Sequence, residues 1–195
     1  MKYPIDLRFK LMALANQVSA TDADGNLVCY VKQKMFKLKE HVNVFTDLEM
    51  KQPLCDIKAD RVIDWSAKYT FTGTDGTVIG HVARSGGRSL WKAHYEIFDA
   101  EDNHIMKIRE ENPWSKFFDG LLGQIPVINI LTGMWLHPKY LVSNMADEPI
   151  FRITKQRAFF EGKFTIDELK DVQEATDMQA LLAMLMMLLL ERTRG

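Results

Sequence analysis

Residues 180–190 read Ala-Leu-Leu-Ala-Met-Leu-Met-Met-Leu-Leu-Leu. A helix built from this run has no polar face. At 1.5 Å per residue it spans about 16 Å, well short of the ~30 Å hydrocarbon core of a bilayer. A helix that is apolar all round and too short to cross a membrane has to be wrapped by protein. The flanks agree with a helix. Asp167, Glu168, Asp171, Glu174 and Asp177 precede it, and Arg192 and Arg194 follow it, where they suit the negative end of a helix dipole. Thr176 with Gln179 has the spacing of a capping box, which predicts a helix over about 177–192.

Much of the remaining chain has the pattern of strands that could do the wrapping. Apolar and polar residues alternate with period two between residues 5 and 110. Trp91, Ala93, Tyr95 and Ile97 share one face. Cys55, Ile57 and Ala59 share another, as do Tyr69 and Phe71, and near the end Phe160, Phe164 and Ile166. Asp24-Gly25-Asn26, Asp75-Gly76 and Asp102-Asn103 separate such runs as hairpin turns do. A strand–turn–strand–basic–strand unit recurs around Asp24-Gly25, Asp75-Gly76 and Asp147-Glu148 at uneven spacing. That predicts successive meanders of one closed barrel, with a two-sheet sandwich as the alternative reading. The fold class expected is mainly β (α+β), a single domain over 1–195.

Composition narrows the function classes. The chain has 195 residues, 47% of them hydrophobic and 26% charged, which is a globular composition. Lys plus Arg is 25 and Asp plus Glu is 26, a net charge of −1, so no nucleic acid partner is expected. Asp6, Arg8 and Lys10 interrupt the N-terminal stretch, so no signal peptide is read there. Cys29 and Cys55 fit neither a metal spacing nor a disulfide framework and read as buried, reduced thiols, which suits a cytoplasmic protein. The five histidines show no zinc spacing. Asp22 to Asn26 lacks the ligand register of a calcium loop and reads as a turn. Neither a nucleophile elbow nor a Cys–His signature is found. No catalytic residue, metal or cofactor is therefore expected.

Two features carry candidate binding chemistry. Lys32, Lys34, Lys37 and Lys39 fall within eight residues without an acid, and a meander would bring Lys58 and Arg61 near them. Such a cluster attracts anionic headgroups, although the simpler reading is a solvated strand face whose lysines guard an edge. Arg84-Ser85-Gly86-Gly87-Arg88 could form an anion nest, or simply a loop. The second feature is segment 112–138. Asn112-Pro113 is a helix start, and Trp114, Phe117, Phe118, Leu121 and Leu122 follow at helical spacing. Gly120 to Leu136 has no charge and includes Trp135, but its Gly, Pro and Asn residues argue against a membrane span. These aromatic and leucine side chains are candidates for a membrane or partner patch.

The strand–turn–strand units around Asp24-Gly25-Asn26 and Asp75-Gly76-Thr77, the run Tyr30 to Leu38, Ile57-Lys58-Ala59 and the closing apolar helix together resemble the Tubby C-terminal-like superfamily. That superfamily includes phospholipid scramblases and LURP-one-related proteins. The resemblance covers nearly the whole chain, except that segment 112–138 looks like an insertion. It implies a closed antiparallel β-barrel of about twelve strands around a central hydrophobic C-terminal helix. Known relatives bind phosphoinositides, act in lipid scrambling or have no settled activity. The proline- and cysteine-rich segment that precedes the domain in scramblases is not seen here. The expectation is a non-enzymatic phospholipid-binding or membrane-associated regulatory module, peripheral at the inner face of a membrane. Its partner would be an anionic phospholipid surface. The alternative is a soluble protein-interaction scaffold, using 112–138 to meet a protein partner or a second copy.

Overall fold

The computed structural model describes residues 1–12, 15–33, 41–61, 67–84, 94–111, 139–156 and 161–192. They form twelve strands and one helix. In chain order these are β1 (Ile5–Met12), β2 (Ala15–Thr21), β3 (Leu27–Gln33), β4 (His41–Phe45), β5 (Pro53–Ala59) and β6 (Lys68–Gly73). Then come β7 (Val78–Arg84), β8 (His94–Phe98), β9 (His104–Glu110), β10 (Lys139–Asn144), β11 (Pro149–Gln156), β12 (Glu161–Glu168) and α1 (Glu174–Arg192). Every strand pairs antiparallel with its sequence neighbour, and β1 pairs with β12, so the sheet closes into a barrel. The sandwich alternative is thereby excluded. Pro53 and Pro149 each open a strand, where a missing N–H costs no interior ladder bond.

Alternation places one set of side chains in the lumen. Leu7, Val18, Val31, Val44, Ile57, Phe71, Val82, Ile97, Ile108, Val142, Ile153 and Ile166, one from each strand, are each at most 1% exposed. About eight strands suffice for side chains alone to fill a barrel; twelve leave a wider lumen. Helix α1 occupies it, and residues 180–189 are all buried. A fully buried leucine or methionine contributes roughly 1.5–3 kcal/mol. The apolar run therefore supplies a gross stabilisation that rivals or exceeds the net stability of an ordinary domain, about 5–15 kcal/mol.

Helix α1 begins at Glu174, three residues before the capping-box reading put it. The Asp177 N–H already donates to the Gln173 carbonyl (2.9 Å). Thr176 therefore lies within the first turn and is no cap. Gln179 has another use: its amide donates to the Ile79 carbonyl of β7 (2.7 Å). Gly80, beside Ile79, allows the close approach of the β8 backbone. A Cβ on Gly80 would sit 2.6 Å from the Phe98 carbonyl oxygen and 3.4 Å from the Gln179 side chain. At the other end of the helix, the Tyr95 hydroxyl donates to Glu191 Oε1 (2.7 Å). Both ends of α1 are thus tied to the wall.

The barrel has two unlike rims. Five hairpins, 22–26, 46–52, 74–77, 99–103 and 145–148, close one rim, and α1 enters there. Gly25 and Gly76 take the left-handed backbone at φ 83° and 84°, and Asp102 and Asp147 take it in the corresponding hairpins at 67° and 64°. Aspartate tolerates that region better than most residues. The opposite rim consists of the strand ends that flank 13–14, 34–40, 62–66, 85–93, 112–138 and 157–160. Segment 112–138 and Trp91, Ala93 and Phe160 lie outside the described residues.

Leu185 is fully buried in mid-helix, surrounded by wall. Leu185→Ala should lower unfolding free energy by about 2–5 kcal/mol, the range for a buried leucine whose cavity does not collapse. Chemical denaturation of the two proteins measures this. A loss under 1 kcal/mol would mean the helix is not enclosed as described.

Candidate functional site

Strand register brings together basic residues that are far apart in sequence. Lys10 of β1 pairs with Gln17 of β2, and Gln17 pairs with Lys32 of β3. One row nearer the hairpins, Arg8 pairs with Ser19, which pairs with Tyr30. Phe9, Val18 and Val31 face the lumen, so Arg8, Lys10, Gln17, Ser19 and Lys32 share the outer wall. Arg8, Lys10 and Lys32 are exposed. Strands lie about 4.8 Å apart, which puts the Lys10 and Lys32 backbones roughly 10 Å apart. Two lysine side chains can converge on one phosphate-sized anion across that gap. On its other side Lys10 pairs in register with Glu161 of β12; neither lysine makes an ion pair among the described residues.

The other candidates distribute differently. Lys58 lies on β5, paired in register with His41, and its ammonium is 3.9 Å from Asp56. Arg61 lies just beyond β5, 3.2 Å from Asp60. Both are near the same rim, but each stands beside a carboxylate that offsets its charge. Arg84 ends β7 opposite Tyr95, on the inward-facing parity. It is four strands from Lys32, roughly 19 Å along the sheet. The lysine and Arg84 features are therefore separate. Lys34, Lys37, Lys39, Arg88, Trp114, Phe117, Phe118, Leu121, Leu122 and Trp135 lie outside the described residues.

A window along the chain sees only near neighbours, so the sequence does not join Arg8 and Lys10 to the Lys32 cluster. Counting outward from both the 13–14 connection and the Asp24-Gly25 turn would have paired Lys10 and Lys32 with the same residue, Gln17.

At the mouth beneath this rim, Tyr69, Tyr95 and Tyr140 are each the second residue of an alternate strand, and all three are buried. Burial, with Glu110 and Glu191 nearby, raises the Tyr140 phenol well above its ordinary range. Tyrosine hydroxyls and the Glu191 carboxylate thus finish the mouth with polar atoms above an apolar lumen.

A second polar cluster lies on the outer wall between β6, β7 and the 99–103 hairpin. Thr70 Oγ1 is 3.0 Å from His81 Nδ1, and His81 Nε2 is 3.6 Å from Asp102 Oδ1. Hydroxyl, imidazole and carboxylate occur in the order of a nucleophile, base and orienting acid. The carboxylate is too distant to orient the ring by a hydrogen bond, and Lys68 donates to it instead. The cluster is better read as a buried histidine satisfied by its neighbours. Burial first, and then Lys68, lowers the His81 pKa. The unfolded chain therefore takes up a proton near pH 6.5 that the folded chain resists, and stability falls as pH falls through that region. Thermal melts between pH 7.5 and 5.5 should show this loss, and His81→Gln should reduce it. An equal pH dependence in both proteins would refute the assignment.

Cys29 and Cys55 face the lumen as free thiols. Burial, with the neighbouring Cys55 for one and Asp56 for the other, pushes both up to about 12. Both should resist a thiol reagent such as Ellman's in the native protein at pH 8 and react on denaturation. Rapid native labelling of either would contradict their burial. Among the described residues, no group of three His, Cys, Asp or Glu side chains could hold a metal ion. Also among them, no helix is long and apolar enough to cross a membrane.

The sequence profile of the LURP-one-related family matches residues 27–188. That family sits in the Tubby C-terminal-like superfamily, in agreement with the resemblance drawn from the turns and closing helix. A solved structure of an Arabidopsis thaliana protein is similar at 14% identity, covering 94% of this chain and 90% of that one, with a TM-score of 0.48. No curated protein matches.

Proposed function

This chain belongs to the LURP-one-related family, and on that premise we propose that it is a non-enzymatic module that binds anionic phospholipid at the inner face of a membrane. The observation that carries the proposal is the pairing of Lys10 and Lys32 through Gln17 near the rim of strand ends. The chain leaves β3 at that rim into Lys34, Lys37 and Lys39, and leaves β9 there into the apolar segment 112–138. A basic residue near an anionic membrane surface contributes about 1 kcal/mol. Stable peripheral binding usually needs a second, apolar signal, which Trp114 to Trp135 would supply. The filled lumen supports a non-enzymatic role, because residues 180–189 occupy the space where a barrel enzyme would place a pocket.

Vesicle flotation tests this. Wild-type protein should float with phosphatidylserine-containing vesicles, not with phosphatidylcholine alone, and less at 0.5 M salt than at 0.1 M. Lys10→Gln/Lys32→Gln should weaken binding by about tenfold or more, from two charges at about 1 kcal/mol each, with an unchanged melt because both side chains are exposed. No binding to either vesicle would end this proposal and favour the soluble protein-interaction scaffold, to be pursued by partner capture through 112–138.

A further inference from the structure

The net charge of −1 conceals two poles. Every closed hairpin of the one rim carries an aspartate: Asp22, Asp47, Asp75, Asp99 and Asp147. Four are built into their turns. Asp22 accepts the Asn26 N–H (2.8 Å), Asp47 the Gln52 N–H (2.6 Å), Asp75 the Thr77 N–H (2.9 Å) and Asp99 the Asn103 N–H (2.8 Å). Asp147 is engaged by Lys107. These bonds favour the ionised carboxylates, and all five titrate below the ordinary range. At the opposite rim, Lys10, Lys32 and Lys139 stand exposed at or near strand ends, with Asp60 and Glu110 as the exposed carboxylates there.

Strands of five to eight residues at about 3.3 Å each, tilted as barrel strands are, put the rims roughly 13–20 Å apart. That is about two Debye lengths of about 8 Å at physiological ionic strength. A charged surface touching one rim therefore feels mainly the charges of that rim. On the wall between them, Lys163 is paired with Asp6 (2.9 Å). The α1 dipole opposes the polarity by only about half a charge at each end.

We infer that the barrel stands end-on on an anionic lipid surface, with its strand-end lysines against the headgroups and its hairpin aspartates facing away. This rests on the lipid-binding proposal and adds a direction to it. Turned over, the molecule would press a ring of aspartates against phosphates. Laid on its side, it would present a wall of paired charges with little net attraction.

The two ends of β10 give a matched test. Lys139 lies at the strand-end rim and Ala146 in the 145–148 hairpin, and both are exposed. Lys139→Cys and Ala146→Cys are labelled separately with an environment-sensitive fluorophore, with Cys29 and Cys55 buried and left unmodified. Each protein is mixed with phosphatidylserine-containing vesicles that carry a spin-labelled phospholipid as quencher. The label at 139 should be quenched several-fold more than the label at 146. Equal quenching, or stronger quenching at 146, with both proteins floating, would overturn the orientation and leave lipid binding standing. Failure of both proteins to float, when checked alongside, would overturn both.

Discussion

A helix with no polar side and a barrel with an unfilled lumen each lack something the other provides. Residues 180–189 of α1 have no exposed flank. In water they would be an aggregation hazard, and in a bilayer they are too short to span. Twelve strands closed on themselves enclose more space than their own side chains fill. Wrapping the helix in the sheet removes both liabilities at once. The hydrophobic effect that drives this is non-directional, so the position of α1 along the axis has to be set by polar contacts. Gln179 with the Ile79 carbonyl at one end and Tyr95 with Glu191 at the other provide that setting.

Closure also decides where charge appears. In an all-antiparallel meander, every second connection emerges at the same rim. Here the five hairpins that carry aspartate at 22, 47, 75, 99 and 147 fall at one rim and the remaining connections at the other. Short hairpins demand residues that tolerate a left-handed backbone and cap free N–H groups, which brings aspartate, asparagine and glycine. The acidity of that rim is thus partly a by-product of turn chemistry. The opposite rim exposes Lys10, Lys32 and Lys139. Turn geometry and surface electrostatics therefore have a common origin in the topology, and the polarity of the molecule follows from the way the sheet closes.

Much of this was visible in the sequence, for local reasons. Period-two alternation at Cys55-Ile57-Ala59 and Tyr69-Phe71 is a property of a single strand. Asp-Gly turns announce themselves within two residues. The apolar run at 180–190 excludes any environment but a protein interior. The capping-box spacing of Thr176 and Gln179 predicts a start of α1 later than the one observed, because it matches by spacing alone. The chain instead continues the helix back to Glu174, and Gln179 is spent on the barrel wall. The basic site was the least legible part. Lys32 was visible within its cluster, while Arg8 and Lys10 became its neighbours only through two successive strand pairings. Lys58 and Arg61 came near the same rim but next to Asp56 and Asp60, which a count of lysines along the chain does not reveal.

By itself, the sequence determined the strand pattern, the hairpin turns, the buried C-terminal helix and, through resemblance, the family. Each rests on interactions between residues a few positions apart, or on the solvent preference of a contiguous run. Tertiary structure alone decided the register in which β1 meets β12, the level at which Lys10 meets Lys32, the separation of Arg84 from that patch and the division of charge between two rims. Those depend on register between distant strands. Register is set by packing the whole lumen around α1, a property of the closed barrel that no single stretch of chain contains.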